Sequence, residues 1–321
     1  MLLQCLLIIV GVALVLWGAD RLTEGAAALA RRLSVPEMVI GLTIVAAGTS
    51  APELFVSVVS ALNGTPDLAV GNVVGSNTMN SMLIVGVAAM VAPMVISPAT
   101  VKKDLPFAVA ASLLMLVLCL DGFGSLSVGG NVISRADGFV FLLGFALFMA
   151  YTLRMARKGG GAEASPSVAL PQAPVWRSLL FVVVGLACLV VGSNLFVDAA
   201  TAVAQQLGVS QSVIGLTIVA GGTSLPELAT SVVAARKGQS AIAIGNVIGS
   251  NVFNILLILG LTTVIAPMQI GGITLVDLLV MLVSMAAVWL FSYTKFTVAR
   301  WEGAVLTAGY LVYLTWLLSQ V

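Results

Sequence analysis

The chain has 321 residues, of which 60% are hydrophobic and only 8% charged. Ordinary soluble domains carry about 25% charged residues, so a soluble globule is excluded. With 14 basic and 13 acidic side chains the net charge is +1, and no basic tract invites nucleic acid.

Mean hydropathy is +1.14. Apolar runs long enough to cross a bilayer, about 20 residues each, recur along the chain. The first, within MLLQCLLIIVGVALVLWGAD, lacks the basic start of a cleaved leader and reads as a spanning helix at 2–19. Four more spans are expected at 36–61, 68–91, 104–120 and 136–154. Residues 155–176, rich in Gly, Ala, Ser and Pro, read as a flexible linker too short for a regulatory domain. Five further spans follow at 177–197, 210–235, 240–266, 273–293 and 301–320.

Ten spans put 13 of the 14 basic residues on one side and Arg135 alone on the other. Basic loops stay cytoplasmic, so both termini should face outward and the 155–176 loop inward. Trp17, Trp176, Trp289, Trp301 and Trp316 mostly fall near span ends, as aromatic belts do. Histidine is absent, which removes imidazole ligands, bases and relays. Cys5, Cys119 and Cys188 are scattered in apolar segments and read as small buried hydrophobes, with no zinc or disulfide pattern.

Residues 32–94 align without a gap on 206–268, at an offset of 174, with 35 of 63 positions identical. IGLTIVAAGTSAPEL pairs with IGLTIVAGGTSLPEL, and GNVVGSNTMN with GNVIGSNVFN. The offset covers five spans, an odd number, so the second copy should cross the membrane in the opposite sense. Inverted repeats of this kind build secondary transporters with a mid-membrane site at the repeat interface. The fold class expected is an all-α polytopic membrane protein of ten helices in two inverted five-helix repeats. The first would occupy 1–154, with its core at 32–94. The second would occupy 177–321, with its core at 206–268.

Glu53 and Glu227 are the acidic residues placed deepest within spans. A charge at the centre of a membrane helix costs about 2.5–3.5 kcal/mol on insertion scales, so two at equivalent positions imply a shared interior site. Each follows a breaker, Gly48-Thr49-Ser50-Ala51-Pro52-Glu53 and Gly222-Thr223-Ser224-Leu225-Pro226-Glu227. Proline offers no N–H to the carbonyl four residues back, and loosened backbone at this depth is tolerated only beside a cavity or ligand. Thr49 with Glu53, and Thr223 with Glu227, are four apart and share a helix face. Ser76 with Asn80, and Ser250 with Asn254, repeat that spacing. Asn72, Asn77, Asn246 and Asn251 read more readily as glue between helices than as ligands. Asp67, Asp104, Asp121 and Asp137 lie at span ends or in loops and read as solvated. The assembled donors are all oxygen, which suits hard cations such as Ca²⁺ and Na⁺. Two carboxylates balance one divalent ion, several monovalent ions or two protons, so competing cargoes would share them.

At GTSAPE and GTSLPE, with GNVVGSN and GNVIGSN, the sequence resembles the sodium/calcium exchanger family, and the short linker resembles prokaryotic inner-membrane members. The resemblance implies Ca²⁺ exchange for Na⁺ by alternating access, with spans 1 and 6 sliding against the other eight. It implies a central Ca²⁺ site at Thr49, Glu53, Thr223 and Glu227. It implies flanking Na⁺ sites at Ser50, Ser224, Ser76 and Ser250 and at the carbonyls of Ala46 and Ala220, with Asn80 near the centre. Some members carry Asp where this chain has Asn254, so the ion stoichiometry of this chain is left open.

The alternative on the same scaffold is a Ca²⁺/H⁺ or other cation/H⁺ antiporter, with protons riding on Glu53 and Glu227. A channel built on an acidic ring fits a twofold repeat with interrupted helices less well. An intramembrane Ser or Asp protease lacks its His or its paired Asp, so no enzyme and no cofactor are expected. The expected partners are Ca²⁺, Na⁺ and the lipid bilayer, with no protein partner readable.

Overall fold

The computed structural model describes residues 1–120, 131–158, 174–208, 218 and 220–319. The described chain is mostly helical. Helix α1 spans Leu2–Leu33, and Glu37–Thr49 (α2) and Ala51–Leu62 (α3) follow. Pro66–Val91 (α4) leads to the short strand Met94–Val95 (β1). Leu105–Cys119 (α5), Asn131–Ile133 (β2) and Arg135–Lys158 (α6) come next. The second half comprises Val175–Gln206 (α7), Ala220–Thr223 (α8), Leu225–Arg236 (α9) and Ser240–Ile265 (α10). Met268–Ile270 (β3), Leu275–Tyr293 (α11), Thr297–Val298 (β4) and Arg300–Leu318 (α12) complete it.

Six of these helices are long and apolar enough to cross a membrane: α1, α4, α6, α7, α10 and α11. The pair α2 and α3, bent by 46° at one residue, makes a seventh. Helices α5, of 15 residues, and α12, of 19, lie at two more of the expected positions. The expected span at 210–235 falls partly outside the described residues, as does most of the linker.

The surface is that of a protein wrapped in lipid. Leu2, Leu6, Ile9, Phe55, Leu143, Val183 and Val312 are exposed, while hydroxyl, amide and carboxyl side chains gather inside. Helices α4 and α10 carry the two GNVxGSN segments and are the enclosed ones. Of their apolar windows 72% and 94% are buried, against 17–39% for the other straight candidates.

Helices α1 and α7 pack antiparallel along most of their length. Gly11 faces Gly192, Gly18 faces Gly185 and Gly25 faces Ser178, and the backbones approach so closely that any Cβ at these glycines would collide. Small residues at seven-residue spacing thus do what they do in membrane interfaces generally, letting helices touch without a hydrophobic driving force. At the ends of the bundle β1 pairs with β4 and β2 with β3, both antiparallel.

Five expectations about single residues change. Asp104 is fully buried rather than solvated. Position at a span end gives depth but not cover, and α11 lies over this turn, with Trp289 Nε1 donating to Val101 O at 2.8 Å. Asp67 and Asp137 are half-buried and engage backbone: Asp67 Oδ1 accepts from Gly271 N and Gly272 N, and Asp137 Oδ2 from Ser134 N. Asp121 lies outside the described residues. Cys119 is buried, but Cys5 is exposed and Cys188 half-buried, because α1 and α7 turn apolar faces outward.

Candidate ion-binding site

The site forms where the chain breaks. Pro52 stands in the first turn of α3, where its missing N–H costs nothing, and α2 ends one residue before at Thr49. Ser50 fills the break with φ −84° and ψ 7°. Ser224 repeats this between α8 and α9, with φ −92° and ψ 7° and Pro226 in the same place. The breaks fall where the two proline motifs lead one to expect them. Opposite, α4 and α10 each widen into a π-helical stretch, Asn80–Ile84 and Phe253–Leu259. Such wide turns recur at functional sites.

Each serine reaches across to the glutamate of the other copy. Ser50 Oγ donates to Glu227 Oε1 at 2.9 Å, and Ser224 Oγ lies 3.1 Å from Glu53 Oε1. Ser224 Oγ also lies 3.1 Å from Ser76 Oγ, and Ser250 Oγ 3.5 Å from Glu227 Oε1. Glu53, Glu227, Thr49, Ser50, Ser76, Ser224, Ser250, Asn80 and Asn254 are all buried. Thr49 shares a face with Glu53, yet its hydroxyl lies 3.3 Å from Ala46 O and 3.1 Å from Asn246 Oδ1. Thr223, half-buried, closes the short helix that Ala220 begins.

The remaining asparagines do more than join helices. Asn72 Nδ2 donates to Glu53 O at 3.1 Å and to Ser57 Oγ at 3.0 Å. Asn246 Nδ2 does the same for Glu227 O at 3.4 Å and Ser231 Oγ at 3.0 Å. These bonds brace the first turns of α3 and α9 against α4 and α10. Asn80 Nδ2 donates to Asn251 Oδ1, and Asn254 Nδ2 to Asn77 Oδ1, each at 3.0 Å. Met281, Met285 and Ser81 join this network, and no spacing in the sequence points to the two methionines.

Among the buried oxygens without a hydrogen-bond donor, four belong to the repeated glutamates and asparagines: Glu53 Oε2, Glu227 Oε2, Asn80 Oδ1 and Asn254 Oδ1. They stand two from each copy, at positions 174 apart. Among the described residues, ion pairs link Asp20, Glu24 and Glu37 to Arg21, Arg31 and Lys237, and none involves Glu53 or Glu227. An unpaired buried carboxylate is costly, and so is a buried acceptor without a donor. A cation is the kind of group that supplies both charge and coordination to oxygens of this type.

Ionisable side chains buried among membrane-crossing helices mark functional sites, substrate and ion pathways foremost among them. The model of the sodium/calcium exchanger protein family matches residues 3–154 and 177–319, and the chain belongs to that family. It is 36% identical to the inner membrane protein YrbG of Escherichia coli, over 99% of this chain and 97% of that one. It is 33% identical to the sodium/calcium exchanger MaX1 of Methanosarcina acetivorans, over 96% and 97%. Its fold matches the solved sodium-calcium exchanger NCX_Mj, soaked with Na⁺ and Ca²⁺, with a TM-score of 0.83 at 30% identity, covering 98% of each chain.

Proposed function

We propose that the chain is a secondary antiporter of the cytoplasmic membrane that exchanges Ca²⁺ for Na⁺ by alternating access. Both ions bind in turn between Glu53 and Glu227. The observation that carries this reading is the set of four donor-free oxygens, two carboxylate and two amide. Ca²⁺ takes six to eight oxygen ligands at about 2.3–2.6 Å, so the hydroxyls of Thr49, Ser50, Ser76, Thr223, Ser224 and Ser250 and the carbonyls of Ala46 and Ala220 complete its shell or hold Na⁺ beside it.

The working architecture is ten spans in two inverted halves, 1–154 and 177–321, joined by a cytoplasmic linker at 155–176, with both termini outside. The crossed bonds support it: Ser50 to Glu227 and Ser224 to Glu53 are one contact seen twice. The Na⁺/Ca²⁺ names of the relatives support the choice of ions.

The test is ⁴⁵Ca²⁺ uptake into proteoliposomes at clamped pH and voltage, loaded with Na⁺ or with choline. Uptake that requires internal Na⁺ is expected. Uptake indifferent to Na⁺ but driven by an imposed pH gradient would transfer the assignment to Ca²⁺/H⁺ antiport.

A further inference from the structure

An amide has a donor end and an acceptor end, so Asn80 and Asn254 serve a cation only if their oxygens are the free ends. Turned round, either would aim N–H groups at the ion. The hydrogen bonds trace the orientation to two groups that carry no proton. On one arm the backbone carbonyl of Asn251 accepts Asn77 Nδ2 at 3.3 Å. Asn77 Oδ1 is then the acceptor for Asn254 Nδ2 at 3.0 Å, and Asn254 Oδ1 is left unpaired. On the other arm the thioether Met285 Sδ accepts Asn251 Nδ2 at 3.3 Å, and Ser81 Oγ accepts the same group at 2.9 Å. Asn251 Oδ1 then takes Asn80 Nδ2 at 3.0 Å, and Asn80 Oδ1 is left unpaired. Amide orientation is read from such networks, and here only one assignment satisfies every bond.

Resting on the ion-site reading above, we propose that Asn77 and Asn251 are positioning residues that hold the two ligand amides oxygen-forward. Met285 and the Asn251 carbonyl are their anchors. The wiring is crossed: in each Asn-x-x-Asn, the first asparagine orients the second asparagine of the other copy. It also sets the charge of the site. A carboxylate at position 254 would face Asn77 Oδ1 oxygen to oxygen at about the 3.0 Å now spanned by the hydrogen bond. Asn77 would then have to give up the Asn251 carbonyl in order to turn. The network therefore specifies an uncharged residue at 254, and two carboxylates in the whole site. Outer-shell partners of this kind typically govern metal affinity by about 10- to 100-fold.

The experiment is ⁴⁵Ca²⁺ binding to the purified full chain by equilibrium dialysis, in Na⁺-free buffer and at a fixed Na⁺ concentration. The variants are Asn77→Leu, Asn254→Asp, the two combined, and Glu53→Gln. Asn77→Leu alone is expected to weaken binding about 10- to 100-fold, because the Asn254 amide loses its orienting acceptor. Asn254→Asp alone is expected to weaken binding despite its added negative charge. Combined, the two should bind Ca²⁺ more tightly than either single variant, since a carboxylate has two equivalent oxygens and leucine presents none against it. A merely structural role for Asn77 gives losses that multiply, and that result, or wild-type binding by Asn77→Leu, overturns the proposal. If Glu53→Gln binds Ca²⁺ like wild type, the ion-site reading itself fails. Should Asn77→Leu not yield folded protein, Met285→Leu with Asn80→Asp runs the same cycle on the other arm and is judged in the same way.

Discussion

The contact of α1 with α7 makes a demand that can be measured in isolation. A Cβ on Gly18 would stand 2.8 Å from Gly185 O, 3.0 Å from Cys188 Cβ and 3.0 Å from Leu189 N. Two of these atoms are backbone, so no side chain can swing away and the helices must part by several tenths of an ångström. Overpacking of this kind costs about 1–3 kcal/mol. Alanine is also the better helix former by about 1 kcal/mol, which hides part of the cost. Gly144 supplies the control, because it is helical and a Cβ there meets only side-chain atoms of Leu256 at 3.4 Å and beyond, an ordinary contact. The propensity gain is common to Gly18→Ala and Gly144→Ala, so the difference between them isolates the packing term, about 1–3 kcal/mol. Thermal unfolding in detergent, followed by thiol labelling of the buried Cys119, should place Gly18→Ala several degrees below Gly144→Ala. Equal midpoints would refute the claim that backbone contact holds the pair together. A double variant, Gly18→Ala with Gly185→Ala, should fall further, since each Cβ would meet the other residue's carbonyl at 2.8 Å.

Three further outcomes follow from the site and its rim. Ser50→Ala and Ser224→Ala should weaken Ca²⁺ binding by similar factors, since each deletes a cross-copy bond to a glutamate. A hydrogen bond to a charged group is worth about 1.5–3 kcal/mol, roughly 10- to 100-fold, and a much larger effect of one serine would contradict the symmetry. With Glu53 and Glu227 as the proposed Ca²⁺ ligands, protons would compete for the same carboxylates, so the half-saturating Ca²⁺ concentration should rise as pH falls from neutral to mildly acid. Uptake kinetics whose half-saturation ignores pH would speak against carboxylate ligands. Lys237 meets Asp20 Oδ1 at 2.6 Å and Thr23 Oγ1 at 3.1 Å, but about a third of the Lys237 and Asp20 side chains is exposed. Lys237→Met should therefore cost at most about 1 kcal/mol in a denaturation assay.

The proline motifs disclose themselves in sequence because backbone chemistry is local. A missing N–H at Pro52 or Pro226 breaks the helix whatever surrounds it, and both breaks appear at the preceding serines. Glu53 and Glu227 were equally legible, since a carboxylate deep in an apolar run needs a reason. Partners were less legible. Four-residue spacing puts Thr49 on the face of Glu53, but a shared face does not name a bond, and the Thr49 hydroxyl lies instead beside Ala46 O and Asn246. The serine that serves each glutamate comes from the other copy, 171 or 177 positions away, and only assembly reveals that. Asp104 shows the same limit from the other direction: its place at a span end is visible, the helix that covers it is not. Met285 carries no polar signature, and its role emerges only when the proton on each amide is followed to its acceptor.

In the proposed antiporter Glu53 Oε2, Glu227 Oε2, Asn80 Oδ1 and Asn254 Oδ1 face one cation. The most direct test is anomalous scattering from crystals of the full chain soaked in Sr²⁺ as a stand-in for Ca²⁺. One dominant peak is expected between the two glutamates, at Ca²⁺-like distances of about 2.3–2.6 Å from oxygens of both. A dominant peak elsewhere, with these four oxygens turned to hydrogen-bond donors of the protein, would contradict it.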